Sequence, residues 1–70
     1  MEAVFNIGDK IIFTHCKKEY PGEIIRINKK SYSVLFKLED FVPLPYMGNR
    51  YVGEDSAWRT MSFSKVIRFQ

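Results

Sequence analysis

The sequence predicts a single all-β domain. β-branched and aromatic residues occur in short bursts without helical spacing, and Gly, Pro, Asn and Lys separate these bursts. The chain has 70 residues, of which 46% are hydrophobic and 16% aromatic. This composition is too apolar for a disordered chain, and the length allows one small core. We therefore expect one domain over residues 1–70 that folds by hydrophobic burial.

The first predicted strand covers residues 9–15. Within it, Ile11, Phe13 and His15 occupy alternate positions and therefore share one face of the strand. The following residues, 16–19, are polar and predict a loop. This first strand therefore has an apolar face for the core and ends at the only histidine of the chain.

The second predicted strand covers residues 23–27. Pro21 has no N–H group for a sheet ladder, so we do not expect a central strand to extend back to it. Ile24 and Ile27 are three positions apart, which breaks the two-residue alternation of a flat strand. This spacing predicts a bulge or a strong local bend.

A polar turn at residues 28–31 leads into the third predicted strand, residues 32–38. So short a link between two strands predicts a hairpin. The third strand has the clearest alternation in the chain, and its apolar face consists of Tyr32, Val34, Phe36 and Leu38. We expect this face to lie in the core.

The segment of residues 39–56 combines several Gly and Pro residues with aromatic and aliphatic ones. The Gly and Pro residues exclude a long regular element, and residues 50–52 can supply a short strand. A connection of this length is functional in most compact domains, or it forms an extra hairpin. Two interpretations follow: the segment packs over an open end of the domain and adds to the core, or it projects as an interaction surface.

The last part of the chain predicts two strands, residues 57–61 and 66–69, with a single helical turn over residues 62–65 between them. Five short strands with a one-turn helix before the last is the layout of an SH3-like barrel. Three motifs add to this likeness: Gly-Asp before an apolar strand (residues 8–13), Gly opening a strand that ends in an Asn-x-Lys turn (residues 22–30), and Trp-Arg followed by Ser-Phe-Ser (residues 58–64).

On these motifs the chain resembles the small KOW- and Tudor-type barrels of short bacterial and phage proteins. The resemblance implies an all-β, SH3-like five-stranded barrel with a long loop before the fourth strand and a one-turn helix before the last. Residues 39–56 depart from it, because similar barrels have only a short turn there. The KOW-type likeness implies contact with RNA, DNA or a protein that handles nucleic acid. The Tudor-type likeness implies peptide binding, in some cases through aromatic cages.

Catalytic and metal-binding patterns are weak in this sequence. His15 and Cys16 are neighbours on an extended segment, so their side chains point to opposite faces rather than forming a nucleophile–base pair. The acid pairs at residues 39–40 and 54–55 lie in segments rich in glycine and proline, with no histidine beside them. One cysteine and one histidine exclude an intramolecular disulfide and a conventional four-ligand zinc site. We expect a non-enzymatic protein without cofactor or metal.

The basic residues support a first hypothesis for function. The chain carries 11 Lys and Arg against 8 Asp and Glu, a net charge of +3. A cluster of them lies in or beside two turns that can share one rim of a barrel: Lys17, Lys18, Arg26, Lys29 and Lys30. Flanking Tyr20 and Tyr32 suit base stacking, so we predict contact with DNA or RNA. The alternatives are that the lysines keep strand edges soluble and that the tyrosine rings lie in the core.

A second hypothesis assigns protein interaction to the loop of residues 39–56. Its side chains have the composition of an interface, and the candidate residues are Phe41, Tyr46, Met47, Arg50, Tyr51 and, beyond the loop, Trp58. Such a module would suit a phage-encoded modulator or inhibitor of a host protein. Trp58 fits two positions, a keystone of the core or a residue that lines a groove.

The remaining expectations concern location and assembly. Residues 1–7 lack the long apolar run and basic start of a secretory signal, and no apolar run approaches the roughly 20 residues of a membrane span. With a single thiol as well, we expect a cytoplasmic protein without a membrane partner. The terminal strand, residues 66–69, has an edge that can pair, so we expect a monomer or a weak homodimer.

Overall fold

The computed structural model describes residues 4–41 and 48–70. These residues form six strands: β1 (Lys10–His15), β2 (Lys18–Ile27), β3 (Ser31–Lys37), β4 (Arg50–Val52), β5 (Ser56–Ser62) and β6 (Val66–Phe69). A single 3-10 turn, Phe63–Lys65, joins β5 to β6. The strands make one antiparallel sheet in the order β4-β5-β3-β2-β1-β6, so β4 and β6 are its edges. The all-β prediction is confirmed, and so is the helical turn before the last strand.

The number of strands differs from the prediction of five. The added strand is β4, which lies inside the predicted loop and pairs with β5 through Arg50, Tyr51 and Val52. Gly53, with φ of 70°, is in the turn that follows β4 and leads into β5. The end of the loop therefore forms the extra hairpin that its apolar residues allow.

Strand β2 is long because it pairs with two neighbours in succession. It pairs with β1 from Lys18 to Glu23 and with β3 from Glu23 to Ile27. The prediction that the strand begins after Pro21 is wrong, since Pro21 lies within β2 opposite Ile12. β3 pairs with β2 only from Glu23 onward, so Pro21 has a strand on one side alone. An edge position of this kind tolerates a residue without an N–H.

The predicted irregularity in β2 is confirmed as a register shift between Ile24 and Arg26. The extra residue, Ile25, allows Ile24 to lie fully in the core while Arg26 stays exposed. Beside the shift, Gly22 lies so close to β3 that a Cβ atom would be 2.6 Å from Cγ1 of Val34. The strands approach closely here because residue 22 has no side chain.

One face of the sheet carries the core. Its buried side chains are Phe5, Ile11, Phe13, Ile24, Tyr32, Val34, Phe36, Phe41, Ala57 and Val66. The predicted core face of β3 is confirmed: Tyr32, Val34 and Phe36 are at most 2% exposed, and Leu38 packs against them. The segment before β1 is attached to this core, because the Tyr32 hydroxyl accepts hydrogen bonds from the backbone N–H groups of Val4 and Phe5.

Candidate functional site

The β1–β2 hairpin ends in a two-residue turn, Cys16 and Lys17, rather than in the predicted four-residue loop. Both residues have positive φ, 51° and 66°, as a tight two-residue hairpin turn requires. The turn places Lys17 at the tip, and Lys18 pairs directly with His15 across the hairpin. Directly opposed residues in an antiparallel pair point to the same face, so Lys18 and His15 share the face that carries the core.

A pocket of about 150 Å³ lies beside His15, between β1, β5 and the 3-10 turn. Its basic side chains come from three elements: His15 from β1, Arg59 from β5 and Lys65 from the 3-10 turn. The other lining residues are Phe13, Thr14, Phe41, Thr60, Met61 and Ser62. No acidic residue is in this lining, as far as residues 4–41 and 48–70 show. The local potential is therefore positive.

Arg59 reaches the pocket because of its register. It lies opposite Val34 in the β3–β5 ladder, and Val34 is fully buried on the core face. Opposed residues share a face, so Arg59 extends along the core side of the sheet toward the pocket. Its Nη1 is buried and has no hydrogen-bond partner among the residues that the structure describes. A buried cationic donor without a partner is uncommon in folded proteins.

His15 forms a second side of the pocket. Its ring packs edge-on against Phe41 at a centroid distance of 5.1 Å and an interplanar angle of 71°. Burial lowers the pKa of His15 from 6.5, and the positive charges of Arg59 and Lys65 lower it further. His15 is thus neutral at pH 7, and the pocket's charge comes from Arg59 and Lys65.

The acidic side chain nearest in sequence to the hairpin tip is already paired. Glu19 lies opposite Thr14, one position beyond Lys18 and therefore on the other face of the hairpin. Its carboxylate accepts a hydrogen bond from Arg68, and this contact lowers the pKa of Glu19. The described residues form ion pairs at Arg68–Glu19 and Lys10–Glu23, and neither pair involves the lysines at the tip.

The other predicted basic residues lie elsewhere. Lys29 and Lys30 follow the C-terminal end of β2, and Arg26 is the second-last residue of this strand. Lys18 is its first residue. β2 has ten residues, so its length separates the two groups that the sequence hypothesis placed on one rim. All three are exposed. The structure brings Lys17 and Lys18 near His15 and does not bring the second group to them.

Two tyrosines were predicted to stack on bases, and for Tyr32 this prediction is wrong. Its side chain is 1% exposed, its ring contacts Phe5 and Phe63, and its hydroxyl is occupied by backbone donors. A base has no access to it. Tyr20 is half-buried, and its ring packs against Phe13 and Phe41 at centroid distances of 5.7 and 4.6 Å. Both rings serve the core, which was the alternative interpretation.

The residues predicted for protein interaction fall into three groups. Phe41 is 4% exposed and packs among Phe13, Tyr20 and Phe36, so the start of the loop adds to the core and the interaction role of Phe41 is wrong. Tyr46 and Met47 lie outside the described residues. The third group, on β4 and β5, is exposed or partly exposed and consists of Arg50, Tyr51 and Trp58.

Trp58 lies on the face of the sheet opposite the core. Its register partners are Leu35 on β3 and Arg50 on β4, so these side chains form one row across three strands. The neighbouring residue Ala57 is fully buried opposite Phe36, which assigns the core side of β5 to residue 57 and the outer side to residue 58. The core-keystone interpretation of Trp58 is therefore wrong.

A larger cavity of about 370 Å³ lies beside Gly22. Its charged lining is mixed: Lys10 and Lys37 with Glu23, Glu39 and Asp40. Nζ of Lys10 is 3.4 Å from Oε1 of Glu23. This cavity therefore has no excess of positive charge, in contrast to the pocket beside His15.

Cys16 is exposed in the hairpin turn, and within residues 4–41 and 48–70 no group of His, Cys, Asp and Glu is arranged to hold a metal ion. In the same part of the chain, no helix has the length and apolar character needed to cross a bilayer.

The chain matches no protein-family model, and neither a curated protein nor a solved structure shows significant similarity to it. Sequence reasoning missed Arg59 and Lys65 as site residues, because they do not stand in a run of basic residues. The signal in the sequence was ambiguous: Ala57 and Met61, two residues away on either side, indicate a core-facing row for Arg59, whereas the adjacent Trp58 indicates the opposite face for the core.

Proposed function

We propose that this protein is a non-enzymatic binding module with an SH3-like barrel fold that associates with nucleic acid through the phosphate backbone. The barrel is supported by the 3-10 turn that leads into β6 and by the pairing of β6 with β1, which brings the last strand beside the first. The bend of β2, which pairs first with β1 and then with β3, is what a strongly curved sheet needs.

The observation that carries the nucleic-acid proposal is the pair of exposed lysines at the β1–β2 tip. Lys17 and Lys18 make no ion pair with a described residue, and Glu19 is turned away and held by Arg68. Unpaired cations at a protruding tip are available to a phosphate backbone. Arg26, Lys29 and Lys30 provide a second exposed contact region beyond the other end of β2.

A salt titration tests this proposal. Binding of fluorescein-labelled single-stranded RNA, single-stranded DNA and duplex DNA is measured by anisotropy over a range of salt concentrations. We expect the affinity for at least one of them to fall steeply with salt, and the combined variant Lys17→Gln/Lys18→Gln to reduce the slope by about 1.4 for a single strand, because each phosphate contact contributes about 0.7. Lys37→Gln is the matched control, since Lys37 is an exposed lysine in the mixed-charge cavity. Absence of binding at low salt, or equal loss in the two variants, would overturn the proposal.

A second candidate function is protein interaction through the outer face, as in a modulator of a host protein. The row of Leu35, Trp58 and Arg50 supports it, because a partly exposed tryptophan beside an arginine has the composition of an interface hot spot. Trp58→Ser would then abolish binding to a purified partner, whereas Tyr51→Ser, on the other face of β4, would have a smaller effect. Equal binding by Trp58→Ser and the unmodified protein would exclude this face.

A further inference from the structure

The pocket between β1, β5 and the 3-10 turn stands apart from the backbone contacts proposed above. It is lined by basic groups from three separate elements, so the tertiary fold brings them together. Arg59 approaches from the core face of β5, Lys65 from the 3-10 turn and His15 from the end of β1. We infer that this pocket is a binding site for one phosphate group, held chiefly by Arg59 and Lys65.

Arg59 is the first reason for this assignment. Its Nη1 is removed from solvent and makes no hydrogen bond to a described residue, although a buried guanidinium ordinarily has a carboxylate or carbonyl partner. The pocket lining contains no described Asp or Glu that could neutralise it. A guanidinium presents its donors in a planar fork that matches two oxygens of a phosphate group. The fork of donors and the absence of a described carboxylate from the lining indicate an anionic ligand.

The size of the pocket limits what that anion can be. Its volume is about 150 Å³, below the roughly 300 Å³ at which sites for larger organic ligands begin. A phosphate group has five non-hydrogen atoms, and a nucleobase with its sugar is far larger. The pocket therefore accepts the phosphate group, while the rest of an attached molecule stays outside.

The surrounding side chains suit an oxyanion. Thr14 and Thr60 also line the pocket and carry hydroxyl groups, whereas the Ser62 hydroxyl is hydrogen-bonded with that of Ser64. Phe41 closes the inner side, with its ring against His15.

Protonation of His15 makes anion binding at this site dependent on pH. The groups that face it are Arg59 on β5 and Lys65 on the 3-10 turn, with Lys18 as its register partner on β2. Burial, and then the positive charges of Arg59 and Lys65, hold the pKa of His15 below 6.5 in the free protein. A bound dianion favours the protonated imidazole instead. Binding of a dianion therefore takes up a proton at mildly acidic pH.

Two sources can supply the phosphate group: a free phosphate ion and the terminal phosphate of a nucleic-acid strand. The second source rests on the nucleic-acid function proposed above, and the first does not. An internal phosphodiester is a poorer match, because it carries one negative charge and is substituted on both sides.

The experiment measures binding of inorganic phosphate and of sulfate by two-dimensional NMR of the full chain, at constant ionic strength maintained with chloride. We expect saturable shifts at the signals of His15, Thr60 and Ser62, and a loss of affinity of about tenfold or more in Arg59→Gln. Arg50→Gln is the matched control, since Arg50 is an exposed arginine on β4. Lys65→Gln is the second variant, because Lys65 is exposed and its replacement leaves the core intact. Non-saturable shifts, or equal affinity in Arg59→Gln and Lys65→Gln and the unmodified protein, would overturn the inference.

A second arm identifies the source. Short oligonucleotides with a 5′-phosphate and with a 5′-hydroxyl are compared on the unmodified protein, on Arg59→Gln and on Lys17→Gln/Lys18→Gln. A preference for the 5′-phosphate that Arg59→Gln removes assigns the pocket to a strand terminus. Saturable phosphate binding without any oligonucleotide binding supports the phosphate site and refutes the nucleic-acid function. Oligonucleotide binding that depends on Lys17 and Lys18, with no phosphate binding, retains that function and refutes the pocket.

Discussion

The hydroxyl of Tyr32 accepts a hydrogen bond from the backbone N–H of Phe5 at 3.0 Å, across 27 positions of sequence. The same oxygen accepts one from Val4 at 2.8 Å. Phe5 is 7% exposed, and its ring packs edge-on against Tyr32 and Phe69. One phenol oxygen therefore attaches the segment before β1 to β3. The Tyr32 side chain is held both by the packing of its ring and by the hydrogen bonds of its hydroxyl.

Removing this oxygen tests its importance. We expect Tyr32→Phe to lower the free energy of unfolding by about 1–3 kcal/mol, because it leaves a buried N–H group of Phe5 without its acceptor. Urea unfolding followed by tryptophan fluorescence measures the change. Tyr20→Phe is the matched control, since the Tyr20 ring packs on the core in the same way but its hydroxyl is not an acceptor in these contacts. Equal losses in the two variants would contradict this role.

The hairpin turn stores backbone strain at Lys17. Its φ of 66° is in the left-handed region, which costs an L-residue with a side chain about 1 kcal/mol and a glycine much less. We therefore expect Lys17→Gly to raise the unfolding free energy by roughly 0.5–1 kcal/mol. Lys29→Gly is the control, because the φ of Lys29 is not positive. Glycine relieves no strain there and only increases the conformational entropy of the unfolded chain. Stabilisation by both variants, or by neither, would show that strain at residue 17 is not the cause.

The close approach of β2 and β3 predicts the effect of a side chain at residue 22. A Cβ atom there would be 2.6 Å from Cγ1 of Val34 and 3.1 Å from the carbonyl oxygen of Leu35. We expect Gly22→Ala to destabilise the fold by about 1–3 kcal/mol through overpacking. In the double variant Gly22→Ala/Val34→Ala, part of the space is restored. Its loss of unfolding free energy should therefore be smaller than the sum of the losses in the two single variants. Strict additivity would contradict a clash between these two residues.

The lowered pKa of His15 predicts a pH dependence of stability. The unfolded chain binds a proton at His15 near pH 6.5, whereas the folded chain binds it only at lower pH. Where the unfolded state holds more protons, stability rises with pH, so the unfolding free energy should fall as the pH decreases through 6.5. Glu19, with its pKa lowered by Arg68, acts in a separate window below 4.5.

Thermal unfolding between about pH 5.5 and 7.5 isolates the His15 contribution. We expect His15→Gln to flatten this dependence, and sulfate to reverse it in the unmodified protein, because a bound dianion favours protonated His15. Sulfate remains a dianion over this range, so its own titration does not enter. An unchanged slope in His15→Gln would show that another group is responsible.

Local alternation predicted much of the central sheet. Tyr32, Val34 and Phe36 repeat every second residue, and the strand that carries them has its apolar face in the core. The three-residue spacing of Ile24 and Ile27 likewise predicted the register shift in β2. These features follow from side chains within one strand, because a strand alternates its faces with a fixed period of two.

β5 shows where alternation ceases to decide. Trp58 and Arg59 are neighbours, so one must face the core and the other away, and hydrophobicity favours Trp58 for the core. The fold places Arg59 on the core side, since Ala57 occupies the fully buried position against Phe36. Which face of β5 turns inward depends on its pairing with β3, and no residue of β5 determines that pairing.

The sequence by itself determined an all-β chain, the core face of β3, the bend in β2 and the helical turn before the last strand, because each depends on residues close together in the chain. Only the tertiary structure decided which basic residues meet. It separated Lys18 from Lys29 by the length of β2 and joined His15, Arg59 and Lys65 around one pocket. The physical reason is that strand pairing, a long-range property, sets which distant side chains share a face and an end of the sheet.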